Sequence, residues 1–221
     1  MINYKRITLL CGHYGSGKTN IAVNMALDLA SKRDNVAIAD LDIVNPYFRT
    51  KDSQTELEKA GIRLICSDYA NTNVDIPALP QDIYAITDDK SLGVVIDVGG
   101  DDRGAYALGR ISQQITEEND YEMIMVINCR RPLTRDTEST LEVMREIEAA
   151  AKMKFTAIVN NSNLGRLTTE QDVLDSLDYA KSVSEASGLP LLFTAVDKSL
   201  YPKLKGKTEN LFPLNLQSKI D

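Results

Sequence analysis

Near the start of the chain, Gly12-His13-Tyr14-Gly15-Ser16-Gly17-Lys18-Thr19 fits the spacing G-x-x-x-x-G-K-[ST]. These residue types in this order suit the binding of phosphate. Gly15 and Gly17 lack a Cβ, so the backbone can curl with positive φ and come close to phosphate oxygens. Lys18 brings a point charge to the outer phosphates, and the Thr19 hydroxyl is an oxygen ligand for Mg²⁺. Asn20 follows in the turn where backbone N–H groups converge. Two further places supply hard oxygen ligands. Asp40 and Asp42 alternate after the apolar run Val36-Ala37-Ile38-Ala39, and Asp97 follows Val94-Val95-Ile96 and leads into Val98-Gly99-Gly100. Thr19, Asp40 and Asp97 are the candidate metal ligands, because carboxylates and hydroxyls suit Mg²⁺.

Such groups work only if the chain carries them to one place. A phosphate loop must leave a buried strand and open a helix, so that N–H groups and the helix dipole meet the anion. Ile7-Thr8-Leu9-Leu10-Cys11 reads as that strand, and Ile21, Ala22, Met25, Ala26 and Leu29 recur at helical spacing after the loop. Further short apolar runs lie at 36–39, 62–65, 92–98, 123–127, 155–159 and 191–193. Helical stripes fall between several of them, notably Leu141, Met144, Ile147 and Ala151, then Val173, Leu177, Ala180 and Val183.

Alternation of this kind implies an α/β fold, a mainly parallel sheet with helices on both faces, of the P-loop NTPase type. Ligands of such sheets sit at the carboxyl ends of the strands. The phosphate loop, Asp40, Asp42, Asp97 and Asn160 all fall there. A chain of 221 residues reads as a single nucleotide-binding domain over 1–221, with 205–221 as a tail of little periodicity around Pro213.

The net charge of −7 argues against nucleic acid or an anionic membrane as the main partner, since both require clustered Lys and Arg. No apolar run approaches a membrane span, and the N-terminus does not read as a signal peptide, so the cytoplasm is the expected compartment. The three cysteines have no C-x-x-C spacing and read as reduced, packed thiols. Asn45-Pro46-Tyr47-Phe48-Arg49 reads as a shaped loop whose two aromatics either pack the loop or are exposed and hidden with nucleotide state, 66–80 as a long loop of the kind that is often functional, and Arg103 as a surface ion-pair former.

Together the loop at Gly12–Thr19, the D-x-D of Asp40 and Asp42 and the D-x-G-G of Asp97–Gly100 resemble the MinD/ParA/Mrp-like group of P-loop ATPases. That group also includes the nickel-insertion ATPase CooC and, more distantly, the CobQ/CobB and dethiobiotin synthetase enzymes. The resemblance spans most of the chain. It implies that Asp42 orients the attacking water, so that Lys18 and Asp42 are the catalytic pair, and that Asp97 helps to position Mg²⁺. It also implies that Asn160 contacts the base, while Gly12 to Asn20 cradle the phosphates. One departure is plain. The group's loop carries a lysine where this chain has His13, and a glycine where it has Tyr14. A histidine near neutral pH carries only part of a lysine's charge.

Where related GTPases carry N-K-x-D, this chain has Asn160-Asn161-Ser162-Asn163. An amide offers one acceptor and one donor, which suits adenine's amino group and ring nitrogen, so ATP is the expected nucleotide. The resulting expectation is a Mg²⁺-dependent ATPase acting as a nucleotide-gated switch, with ATP and ADP as ligands and a homodimer or a protein client as partner. The alternatives are an ATP-dependent carboxylate-activating enzyme like dethiobiotin synthetase, and a nucleotide-binding module that does not hydrolyse.

Overall fold

Along the first strand Ile7, Leu9 and Cys11 face one apolar layer and Leu10 faces the other, and all four are fully buried. A strand covered on both faces is what a parallel sheet between two helical layers requires. The computed structural model describes residues 2–41, 51–66, 81–100 and 102–216, and only the backbone of 51–53, 81, 82, 102 and 103. The strands are β1 (Ile7–Cys11), β2 (Val36–Leu41), β3 (Arg63–Ile65), β4 (Gly93–Val98), β5 (Tyr121–Ile127), β6 (Ala157–Asn160), β7 (Leu191–Asp197) and β8 (Leu211–Leu214). The helices are α1 (Lys18–Ala30), α2 (Lys51–Lys59), α3 (Ala85–Asp88), α4 (Asp102–Leu108), α5 (Ser112–Glu118), α6 (Thr137–Ala151), α7 (Glu170–Ser187) and α8 (Tyr201–Leu204).

The eight strands form one sheet in the order β3-β2-β4-β1-β5-β6-β7-β8, and every pairing is parallel. Ile21, Met25 and Leu29 of α1 and Leu57 of α2 pack on the face that holds Leu10, Ile38, Val95 and Val126. Residues of α3 to α7, among them Ile86, Leu108, Ile115, Met144 and Val183, cover the other face. Connections that contain helices join strand to strand, as the parallel arrangement demands. Among the described residues no helix is long and apolar enough to cross a membrane.

The tail differs from its sequence reading. Within that stretch of little periodicity, 211–214 pairs with β7 as an edge strand, Thr194 opposite Leu211 and Asp197 opposite Leu214. Pro213 had argued against regular structure, but an edge strand has one side free of ladder partners and tolerates it. Phe212 packs against Phe193 with ring centroids 4.8 Å apart. Just beyond, Asn24 of α1 takes both backbone groups of Asn215: its Nδ2 donates to the carbonyl at 3.1 Å and its Oδ1 accepts from the N–H at 2.8 Å.

Arg6, only 4% exposed at the start of β1, ties the other end of the sheet together. Its guanidinium donates to both carboxylate oxygens of Glu118 and to the carbonyls of Ile86, Asp89 and Leu92. Arg6, followed by Lys90, holds the Glu118 carboxyl below the usual carboxylate range. Removal of Arg6 leaves the half-buried Glu118 carboxylate with only the exposed Lys90 and takes a donor from the carbonyls of Ile86, Asp89 and Leu92. Arg6→Ala should therefore lower the unfolding free energy by about 3 kcal/mol, read as a fall in the urea midpoint at neutral pH. Because the folded pKa is depressed, the pair's contribution is fully present above the ordinary value of 4.5 and fades as pH falls through the folded value. The difference between the two proteins should shrink correspondingly in acid.

Candidate functional site

The sheet order places β1 between β4 and β5, and the site is built on that adjacency. The loop after β1 lies beside the loop after β4 on one side and those after β5 and β6 on the other. Gly12, Gly15 and Gly17 have φ of 151°, 75° and 88°, so all three lie where a side chain is disfavoured. Gly17 also opens α1, and this helix has neither a side-chain cap nor an acid in its first turn. By contrast α6 is capped by Asp136 and α7 by a capping box of Thr169 and Asp172. An uncapped helix start inside a glycine loop leaves several N–H groups for an anion, and the dipole favours negative charge there. Within the loop the Ser16 hydroxyl is buried and has no hydrogen-bond partner among the described residues.

Lys18 is 6% exposed and folds back over the loop, its Nζ donating to the carbonyls of Gly12 at 3.0 Å and His13 at 3.3 Å. The segment after β4 closes on it. A Cβ at Gly100 would lie 2.9 Å from the Lys18 Nζ and 2.7 Å from the backbone of Tyr14, so only glycine fits between them. His13 is half-buried, and its Nδ1 lies 3.0 Å from the Tyr14 carbonyl. A carbonyl only accepts, so Nδ1 carries the proton in that contact. Tyr14 is 62% exposed at the rim.

Asp40 and Asp97 are register partners on β2 and β4. Ile38 and Val95, two residues before them, face the α1 layer, so by strand alternation both carboxylates face that layer too. They are 7% and 2% exposed. Thr19, in the first turn of α1, donates its hydroxyl to the Asp97 Oδ2 at 2.6 Å. The three oxygen-bearing side chains singled out in the sequence therefore share one corner beside the loop. That set fits Mg²⁺, which takes one or two carboxylates and completes its shell with water and phosphate. Among the described residues no group of three or more His, Cys, Asp or Glu could hold a metal alone. Asp42, the loop 45–49 and residues 67–80 lie outside the described residues, and so does the Arg103 side chain.

Asn160 is a correction. Expected at the base, it is fully buried, its Nδ2 donating to Ser176 on α7 at 2.9 Å and its Oδ1 accepting from the Ser162 N–H at 3.1 Å. Strand alternation turns it toward α7, and its neighbour Asn161 turns toward the phosphate loop. The Asn161 Nδ2 donates to the Ser16 carbonyl at 2.7 Å, and a Cβ on Gly17 would sit 2.2 Å from that nitrogen. Asn163, half-buried, closes its own loop by donating to the Asn161 carbonyl and accepting from the Gly165 N–H.

Sequence reasoning also missed the role of the loop after β5. Asn128 organises it: its Oδ1 accepts from the Arg130 N–H at 2.9 Å, and its carbonyl accepts from the Arg131 N–H and the Thr134 hydroxyl. The turn carries Arg131 back to the phosphate loop, where its Nε donates to the Gly15 carbonyl at 2.7 Å. Cys11 lies under the loop, and burial pushes its thiol up to about 12, so it stays protonated and inert.

Comparison with protein-family models and with curated proteins found no match. Solved structures give the fold. FtsY from Mycoplasma mycoides is matched with a TM-score of 0.56 at 20% identity, over 89% of this chain and 62% of that one. Chloroplast FtsY from Physcomitrella patens gives 0.57 at 15% identity, over 88% and 59%. The signal recognition particle 54 kDa protein from Aeropyrum pernix, in complex with GDP, gives 0.52 at 15% identity, over 88% and 42%. The chain thus spans about six tenths or less of the length of these structures. The fold is the α/β P-loop NTPase fold expected from the sequence. The narrower likeness to the MinD/ParA group is not among these findings.

Proposed function

We propose that this chain binds a purine nucleoside triphosphate with Mg²⁺ and hydrolyses it as a nucleotide-gated switch. The observation that carries the reading is the meeting of Lys18, the uncapped start of α1 and the Thr19–Asp97 pair around one glycine loop. In such a site the protein contributes position and charge rather than a covalent step. The loop N–H groups and Lys18 would take the phosphates. To do so Lys18 exchanges its carbonyl partners Gly12 and His13 for phosphate oxygens. Thr19, Asp97 and Asp40 would hold Mg²⁺, which neutralises charge on the outer phosphates when bound. Asp42, by the resemblance to MinD/ParA-like ATPases, would orient the attacking water.

Gly100 supports the gating part of the reading, because the segment after β4 rests directly on Tyr14 and beside Lys18. A ligand that draws Lys18 away from its carbonyls alters what that segment packs on, which is how a phosphate can move a loop. The MinD/ParA-like assignment, with a homodimer or a protein client as partner, belongs to this proposal.

ATP is the nucleotide that the amide at Asn163 favours, since a carboxylate there would accept two hydrogen bonds from guanine and an amide accepts only with its oxygen. A second reading takes GTP, because the similar structure from Aeropyrum pernix is a complex with GDP. Phosphate release from Mg·ATP and Mg·GTP, together with light scattering of the eluting protein in each nucleotide, separates these readings. Release from ATP with a nucleotide-dependent change in mass supports the switch on ATP, and release from GTP alone moves the assignment to GTP. Release that requires an added carboxylate metabolite would instead indicate a ligase.

A further inference from the structure

The guanidinium of Arg131 lies against the phosphate loop. Its Nε donates to the Gly15 carbonyl at 2.7 Å, and its Cζ and Nε lie 3.3 Å from where a Gly15 Cβ would be. Any other residue at position 15, with φ of 75°, would be strained and would crowd the arginine. That bond uses one of the five N–H donors. The two terminal nitrogens, four N–H groups in all, have no partner among the described residues, and the side chain is exposed. The preceding residue is different: the Arg130 Nη2 pairs with Asp172 on α7 at 2.9 Å. Of two adjacent arginines on one loop, one is held by an acid and the other is carried by the Asn128 turn to the phosphate loop.

A guanidinium that only stapled a loop carbonyl would gain nothing from its planar fork, which matches phosphate oxygens in pairs. We propose that Arg131 is a second cation of the phosphate site. It would grip the loop through Nε and donate through its terminal nitrogens to the ligand's polyphosphate chain from the outer rim, while Lys18 acts from within. The inference rests on the nucleotide reading above and adds a residue to it. It makes the site select for polyphosphate, whatever the base.

The test titrates wild type, Arg131→Ala, Arg131→Lys, Arg130→Ala and Lys18→Ala with Mg·ATP, Mg·GTP and inorganic tripolyphosphate by calorimetry, with thermal melting of each ligand-free protein. Loss of a charge-assisted contact to phosphate should weaken the preferred nucleotide and tripolyphosphate by the same factor, about ten- to a hundredfold, in Arg131→Ala. Arg131→Lys should recover part of it, because the charge remains and the fork is lost. Arg130→Ala should bind within about twofold of wild type, since its contact is a surface ion pair. Melting should be unchanged across the two Arg131 variants. If wild type binds and Lys18→Ala does not, while Arg131→Ala binds like wild type, the arginine proposal falls and the nucleotide reading stands. A lowered melting temperature in Arg131→Ala with tripolyphosphate affinity intact would make Arg131 a loop staple and would equally overturn the proposal. If folded wild type binds none of the three ligands, both readings fall.

Discussion

Replacing Lys18 with alanine is expected to weaken nucleotide binding at least about a hundredfold while leaving the protein folded. Lys18 is 6% exposed, and in this structure its ammonium donates to two loop carbonyls. Those partners are neutral carbonyls, at 3.0 and 3.3 Å, so a phosphate that offers full negative charge competes well for the ammonium. Without the ammonium the loop still presents N–H groups but has lost the charge at its centre. Calorimetric titration of Lys18→Ala with Mg·ATP, alongside circular dichroism, checks both halves of the expectation.

The second large effect concerns Asp97. Asp97→Asn keeps the size of the side chain and removes its charge at a place where it accepts from Thr19 at 2.6 Å and stands beside Asp40 on the neighbouring strand. An amide can still accept from Thr19, so the loop and α1 should keep their relation. What is lost is one of the hard oxygen ligands for Mg²⁺. Hydrolysis should fall about a thousandfold, whereas nucleotide affinity should fall no more than about tenfold, because charge stabilisation at the reacting phosphate counts more in the transition state than in the ground state. Phosphate release across a Mg²⁺ titration reads the effect. A rate unaltered at saturating Mg²⁺ would remove Asp97 from the site.

Much of this site can be read from local sequence because its central parts are local. The glycine loop occupies eight consecutive residues, and its flanking strand and helix carry unambiguous apolar patterns. Asp40 and Asp97 are distant in sequence but both lie near the carboxyl ends of short buried strands, and a parallel sheet brings such ends together. Arg131 and Asn161 were not legible. They meet the loop across 116 and 145 residues, through the order β1-β5-β6, and no spacing in the sequence encodes which strand neighbours which. Asn160 failed for a finer reason: one residue along a strand reverses the face, so the two adjacent amides serve opposite sides of the sheet. Pro213 hid β8, since its missing N–H is harmful only where a ladder needs it.

The measurement closest to the central claim is equilibrium titration of the purified chain with Mg·ATP and Mg·GTP by calorimetry, with Lys18→Ala as the comparison. Wild type should bind one nucleotide per chain, and Lys18→Ala should lose that binding at the same concentration. A folded wild-type protein that binds neither nucleotide, or a Lys18→Ala protein that binds as well as wild type, would contradict that claim.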